Sequence, residues 1–276
     1  MLITRVITAV VLLGVLIPWA LWSSPLGFAA GCLVICVWCL KEWSQLLTLP
    51  SGAEWAAPVA LAVGGLVWLL DGWMLPSDLL PWLCIPAAIL WLFWVPWRIS
   101  RVSTPRGWVG LAFALLACLA AFVSLWEARL QGLGFLLSVL LLVWIADTGA
   151  YFSGRAFGRS KLAPSISPGK TWAGVVGAVV LNLVYAVSAT LYWPDSWPHT
   201  LSWNTGWVGL FAATLLMTLV AVWADLHQSL LKRQAGVKDS GRLLPGHGGV
   251  FDRIDALLAV LPLALLALWW ADTGGY

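Results

Sequence analysis

Nine long apolar runs mark this chain, and a lipid bilayer is the solvent that accommodates them. They lie at about 6–22, 26–40, 56–70, 80–97, 107–126, 134–153, 171–192, 206–226 and 250–271. A hydrocarbon core takes ~20 apolar residues per helix. In lipid every backbone polar group must be satisfied internally, which selects helices. The runs at 26–40 and 56–70 are the shortest. Charge is too sparse to coat a soluble globule: 10% of residues are charged and 61% apolar, against roughly 25% and about 45–50% in soluble domains. The same sparsity excludes a disordered chain, which is polar and charge-rich. Many of the Trp residues stand near run ends, where amphipathic rings favour the headgroup level. The first run follows Arg5 and would also suit a signal peptide. It ends in Pro18, Trp19 and Trp22 without a small-residue cleavage site, so it reads as a retained span.

The cations supply an orientation. Nine spans put the N-terminus and the even-numbered connections on one face. That face receives every one of the 15 Lys and Arg residues except Arg129. Asp71, Asp78, Glu127, Asp195 and Asp272 fall opposite. By the positive-inside rule the basic face is cytoplasmic. The expected fold is an all-α polytopic membrane protein of about nine transmembrane helices, with its N-terminus in the cytoplasm and its C-terminus on the opposite side. Residues 1–276 read as a single membrane domain, with helices one to five over 1–130 and helices six to nine over 131–276. Two cytoplasmic connections, 154–170 and 227–249, hold the unusual polar residues. Cys32, Cys36 and Cys39 share the spacing of some iron–sulfur sites, but that spacing also places them on one helix face. Without a solvated loop or further polar ligands they read as small packing residues.

Four carboxylates lie in or at the edge of apolar runs: Asp147, Asp225, Asp252 and Asp255. A charge in a membrane segment is costly and by default functional. Asp225 ends the eighth run and Asp252 begins the ninth, so antiparallel spans bring them to similar depth. Asp255 shares a helix face with Asp252. Oxygen ligands near one membrane face suit a hard cation such as magnesium; structural salt bridges to Arg233 or Arg253 are the alternative. Cations surround the carboxylates: Lys161 and Lys170 in one connection, Lys232, Arg233, Lys238 and Arg242 in the other. Ser167-Pro168-Gly169-Lys170-Thr171 opens the seventh span and Pro245-Gly246-His247-Gly248-Gly249 the ninth. Both segments would present backbone N–H groups to an anion. Carboxylates beside phosphate-sized cationic loops read as metal-assisted phosphoryl or nucleotidyl transfer.

Other sites fail on the residues. Gly169-Lys170-Thr171 resembles the end of a P-loop, but Pro164 stands where its first glycine belongs. His199, His227 and His247 lack zinc-type spacing, and no G-x-S-x-G elbow is present. His227, beside Asp225, reads as structural. The basic residues interleave with membrane spans, so nucleic acid is not an expected partner.

One long segment is recognisable. Ser229-Leu-Leu-Lys232-Arg233, then Lys238-Asp239-Ser240-Gly241, then Leu244-Pro-Gly-His247-Gly248-Gly249-Val-Phe-Asp252-Arg253-Ile-Asp255 resembles the signature of phosphatidate cytidylyltransferases, the CDP-diacylglycerol synthases. A second stretch agrees: Ala146-Asp147-Thr-Gly-Ala-Tyr151, Gly154-Arg155, Phe157-Gly158, Lys161-Leu-Ala-Pro164 and Ser167-Pro-Gly-Lys170-Thr171. The first five spans match only as generic apolar helices. The resemblance implies that CTP and phosphatidate give CDP-diacylglycerol and pyrophosphate with magnesium, at the cytoplasmic side of a bacterial inner membrane. It further implies that Asp225 and Asp252 are metal ligands and that a potassium ion shares the centre. Asp147 and Asp255 then orient cations or water. Ser167, Lys170, Ser229, Lys232, Arg233, Lys238, Asp239, Gly248, Gly249 and Arg253 contact substrate, and His247 shapes its loop toward pyrophosphate. One departure stands out. The family usually reads Gly-Asp-x-x-Glu-Ser where this chain has Ala224-Asp225-Leu226-His227-Gln228-Ser229. Gln228 removes a charge near the expected metal.

Two other readings stay open. CTP-dependent activation of a different lipid phosphate would use the same residues, because acyl chains contact generic apolar surface. An anionic-lipid carrier would not be an enzyme, but carriers favour polar sites at the bilayer midplane, and here they crowd at one face. The D-x2-D-G-x2-A-R pattern of CDP-alcohol phosphotransferases is absent. A homo-oligomer is compatible with the sequence.

Overall fold

The computed structural model describes residues 14–15, 18–70, 79–243 and 248–273. Among these, eight helices are long and apolar enough to cross a membrane, and they coincide with the second to ninth apolar runs. Most of the expected first span lies outside the described residues. The protein is an all-α polytopic membrane protein, with one small β-hairpin on its polar side.

The N-terminal part contains α1 (Pro25–Gln45), α2 (Ala56–Leu70), α3 (Leu79–Ile89), α4 (Val95–Ser100) and α5 (Gly107–Leu130). Ser24 starts α1: its hydroxyl accepts from the Gly27 amide, and Pro25 needs no amide partner at the first position. A π-helical turn, Leu90–Trp94, joins α3 to α4, so the two make one span. The C-terminal part contains α6 (Leu133–Phe157), β1 (Lys161–Ala163), β2 (Ser167–Thr171), α7 (Trp172–Tyr192), α8 (Trp197–Gln234) and α9 (Phe251–Thr273).

Two departures from the sequence reading bear on function. The 154–170 connection is not an open loop. α6 runs on to Phe157, and β1 and β2 pair antiparallel, with Lys161 opposite Thr171 and Ala163 opposite Ser167. Ile166 at the hairpin turn is buried against Leu226 and Leu230 of α8. Apolar burial thus docks the hairpin on the helix. The second correction concerns 227–249, whose first part, 227–234, continues α8. No Gly or Pro interrupts that stretch, and Leu226, Leu230 and Leu231 keep one face buried. The Gln234 side chain ties the helix end to the 101–106 turn, donating to Val102 O at 3.0 Å and accepting from Thr104 N at 3.2 Å. Gly236, at φ 72°, then turns the chain out of the helix. At its other end α8 bends at Gly206, where φ is 69°.

The bilayer offers helices no hydrophobic drive toward one another, so close backbone packing matters. A Cβ at Gly149 of α6 would meet the Gly177 carbonyl of α7 at 3.0 Å, so these helices touch backbone to backbone. A large buried cluster joins α1, α5, α6, α8 and α9. At its polar end Trp43 of α1 stacks on Phe251 at the start of α9, ring centroids 4.6 Å apart, and meets Phe113 of α5 edge-on.

Candidate active site

α6, the hairpin, α7, α8 and α9 converge on a cavity of about 600 Å³. Its wall carries Asp147, Ser167, Lys170, Asp225, Lys232, Asp239, Asp252, Arg253 and Asp255, all picked out by sequence. Tyr151, Thr171 and Gln228 complete its polar lining.

The hairpin side holds one charged pair. Docking of Ile166 on α8 brings Lys170 of β2 to Asp225, Nζ to Oδ2 at 2.5 Å. The Asp225 side chain is 38% exposed. Among the described residues, its other oxygen has a long contact, 3.5 Å from the Ser229 hydroxyl one helical turn on. Asp147 and Asp255 both lie within electrostatic reach of Asp225 and Lys170. Three carboxylates thus share one lysine's neighbourhood.

The opposite side is built differently. Asp252, in the first turn of α9, is 7% exposed and accepts five hydrogen bonds. Oδ1 takes Lys232 Nζ at 2.6 Å and Gln228 Nε2 at 2.9 Å. Oδ2 takes the Ser240 amide at 2.8 Å, the Ser240 hydroxyl at 3.0 Å and the Gly249 amide at 2.9 Å. Charge-assisted bonds of this kind are short and strong. They pull α8, Ser240 and Gly249 onto the α9 N-terminus.

The helix N-termini also differ from expectation. Thr171 caps α7 through its hydroxyl to Gly174 N, and Trp172 N donates to Ser160 O. Before α9, Gly249 N goes to Asp252, and Phe251 N goes to Glu42. Protein oxygens already satisfy these four amides, and Lys170, Lys232 and Arg253 are the cations of the cavity wall. Ser229 reaches the site only through Asp225, while Arg233 and Lys238 are exposed outside the cavity wall. Gly248 and Gly249 sit behind Asp252. His247 lies outside the described residues. His227 is buried edge-on against Trp43 and Trp91, with no hydrogen-bond partner among the described residues, consistent with a packing role.

Sequence reasoning missed Glu42, a buried glutamate on α1 that bonds Ser240 and Phe251. The available signal was a carboxylate at the end of an apolar run, Cys39-Leu-Lys-Glu42-Trp43. It also treated Gln228 only as a lost charge, whereas the amide is a donor to Asp252.

Magnesium can be tested against this donor set. Among the described residues no three His, Cys, Asp or Glu side chains are gathered closely enough to hold an ion alone. Magnesium ordinarily keeps several waters and binds through one or two carboxylates plus substrate phosphates. Asp225, exposed and with one oxygen nearly free, fits that use. Asp252 fits less directly, because both its oxygens are filled.

Relatedness agrees with this architecture over the whole chain. The model of the "Cytidylyltransferase family" matches residues 3–271. A phosphatidate cytidylyltransferase of Haemophilus influenzae is 34% identical, over 95% of this chain and 96% of its own. That of Pseudomonas aeruginosa is 35% identical over 99% of both chains. That of Staphylococcus aureus is 33% identical over 96% of this chain and 98% of its own. A full-length match carrying this cavity leaves no room for a shared fragment alone: the chain belongs to the cytidylyltransferase family.

Proposed function

We propose that this protein transfers a cytidylyl group from CTP to phosphatidate, releasing pyrophosphate and forming CDP-diacylglycerol. The observation that carries the reading is one cavity holding two lysine–carboxylate pairs, Lys170–Asp225 and Lys232–Asp252, at the polar ends of membrane helices. A lipid phosphate can enter there from the bilayer while a nucleotide enters from water. The donor and acceptor are those that the relatives' names supply.

An oxygen of the lipid phosphate attacks the α-phosphorus of CTP. A phosphorus–oxygen bond forms, and the bond from the α-phosphorus to pyrophosphate breaks. The lipid supplies the nucleophile, already ionised near neutral pH, so no protein nucleophile or strong base is needed. The chain's own work is positioning and charge stabilisation. Lys170 and Lys232 each hold a carboxylate in the observed state. When the triphosphate arrives, Lys170 exchanges its carboxylate for a phosphate oxygen, while Lys232 meets the phosphates from its place on Asp252. Arg253, in the cavity wall, adds a third cation. Asp225, so released, is the residue that would hold magnesium, with Asp252 fixing the wall beside it. Magnesium when bound would neutralise triphosphate charge; potassium is a second ion to test. Asp147 and Asp255 keep water and cations oriented.

The clustering of cations on one side supports a cavity at the cytoplasmic face, and the bacterial relatives support the inner membrane as its setting. The test uses purified full-length protein with labelled CTP and a panel of phosphatidate, lysophosphatidate and isoprenyl phosphate, with and without magnesium and potassium. Labelled lipid formed from phosphatidate and dependent on magnesium is the expected result. No labelled lipid, or preferential labelling of another lipid phosphate, overturns the assignment.

A further inference from the structure

Glu42 is 2% exposed, yet it belongs to the N-terminal helices rather than to the cavity wall. Its Oε2 accepts the Phe251 amide at 2.9 Å and the Ser240 hydroxyl at 3.0 Å. Its Oε1 accepts the Trp38 indole N–H at 3.2 Å. The Phe251 amide is one of the unsatisfied donors at the start of α9, so Glu42 caps that helix from across the fold. The Ser240 hydroxyl lies 3.0 Å from both Glu42 Oε2 and Asp252 Oδ2. It has one proton, which it directs to one carboxylate at a time. Asp252 also takes the Ser240 amide at 2.8 Å, so the hydroxyl can serve Glu42 while the serine stays bonded to Asp252.

The glycines nearby read the same way. A Cβ at Gly241 or at Gly249 would collide with the Glu42 carboxylate. The segment is thus shaped to admit this side chain. The neighbouring Trp43–Phe251 stack fixes the same junction by apolar contact. A buried carboxylate is costly unless its oxygens are satisfied, and here both oxygens have donors. Such a group brings geometric precision, since few other placements of the segment would satisfy it.

We propose that Glu42 is a positioning residue for the transfer reaction: it pins Ser240 and the α9 N-terminus, and so holds Asp252 and Lys232 where the triphosphate must bind. This rests on the proposed cytidylyl transfer, but the pinning itself can be read without turnover. Glu42→Gln keeps the shape and removes the charge. One amide end must then point an N–H at another donor, either Trp38 or the Ser240–Phe251 pair. Gly241→Ala displaces the carboxylate from the segment side.

The experiment measures hydrogen exchange and steady-state kinetics on the purified full-length wild type, Glu42→Gln, Gly241→Ala and the double variant. Amides of 238–243 and 248–252 are expected to exchange faster in each variant, while α5 and α6 keep wild-type protection. The KM for CTP is expected to rise about tenfold. The KM for phosphatidate should stay within about twofold, because its binding does not depend on the pinned segment. The double variant should resemble the worse single, as residues sharing one contact are non-additive. Unchanged exchange in the segment, equal rises in both KM values, or additive effects overturn the proposal. If Glu42→Gln does not fold, Gly241→Ala carries the same readings alone. If the wild type forms no CDP-lipid, the function is wrong, while the exchange measurement still decides whether Glu42 pins the segment.

Discussion

Lys170–Asp225 and Lys232–Asp252 face one cavity, but their surroundings differ. The Asp225 side chain is 38% exposed, and among the described residues it has one close cation on one oxygen and a long 3.5 Å contact on the other. The Asp252 side chain is 7% exposed and takes five donors from Gln228 and Lys232 of α8, from Ser240 and from Gly249. Removing one partner of a buried, fully bonded carboxylate leaves others unpaired. An exposed ion pair instead contributes little to stability. Two aspartates that look equivalent in sequence are therefore suited to different work. Asp225 is free to change partners during a catalytic cycle, and Asp252 holds the wall against which that change occurs.

Asp252→Asn should give the largest effect. Its amide must direct an N–H toward either the Gln228–Lys232 pair or the Ser240–Gly249 group. At least one buried donor is then unpaired, at about 1–3 kcal/mol each. Turnover should fall at least ~10²-fold, and thermal stability should fall with it. A stable but inactive variant would show instead that Asp252 acts on the chemistry without holding the wall.

Lys170→Ala should come next. It removes the hairpin's cation from the triphosphate and leaves Asp225 unpaired but solvated. We expect kcat/KM for CTP to fall by roughly 10–100-fold with unchanged melting. An equal fall in thermal midpoint would place Lys170 among the structural groups and erase the contrast between the pairs.

Gln228→Glu should be mild. A carboxylate there would face Asp252 Oδ1, now 2.9 Å from the Gln228 amide, and Lys232 would lie between two anions. Turnover should stay within about tenfold of wild type, ~1.4 kcal/mol, with a shifted magnesium dependence. A much larger change in either direction would make position 228 a controlling residue. Smallest of all, cysteine at Lys161 should leave turnover within about twofold and be labelled only from the cytoplasmic side; in the 195–199 loop it should be labelled only from outside. The reverse labelling pattern would invert the orientation.

These contrasts were only partly visible in the sequence. Hydropathy was enough for the eight spans seen among the described residues, since ~20 apolar residues in a row admit few alternatives. The membrane-edge carboxylates were conspicuous for the same reason. The hairpin was not: strands of three and five residues are too short for a period-2 pattern, and the longer one is Ser167-Pro-Gly-Lys-Thr171. The α8 extension was hidden because hydropathy drops after Asp225 while Leu226, Leu230 and Leu231 keep the helical spacing. Glu42 stands out locally only as a carboxylate ending an apolar run; the two bonds that join it to the site reach 198 and 209 positions along the chain, which no local pattern marks. The unequal bonding of Asp225 and Asp252 is a tertiary property, set by which donors the fold delivers to each.

Turnover of Asp225→Asn, measured beside its thermal midpoint across a magnesium titration, tests the central claim most directly. If Asp225 is the carboxylate that exchanges its lysine for a cation, labelled CDP-lipid formation should fall at least ~10²-fold, about 2.7 kcal/mol of barrier. The midpoint should stay at the wild-type value, and added magnesium should not restore the rate. Near-normal turnover, or a loss matched by unfolding, would contradict that role.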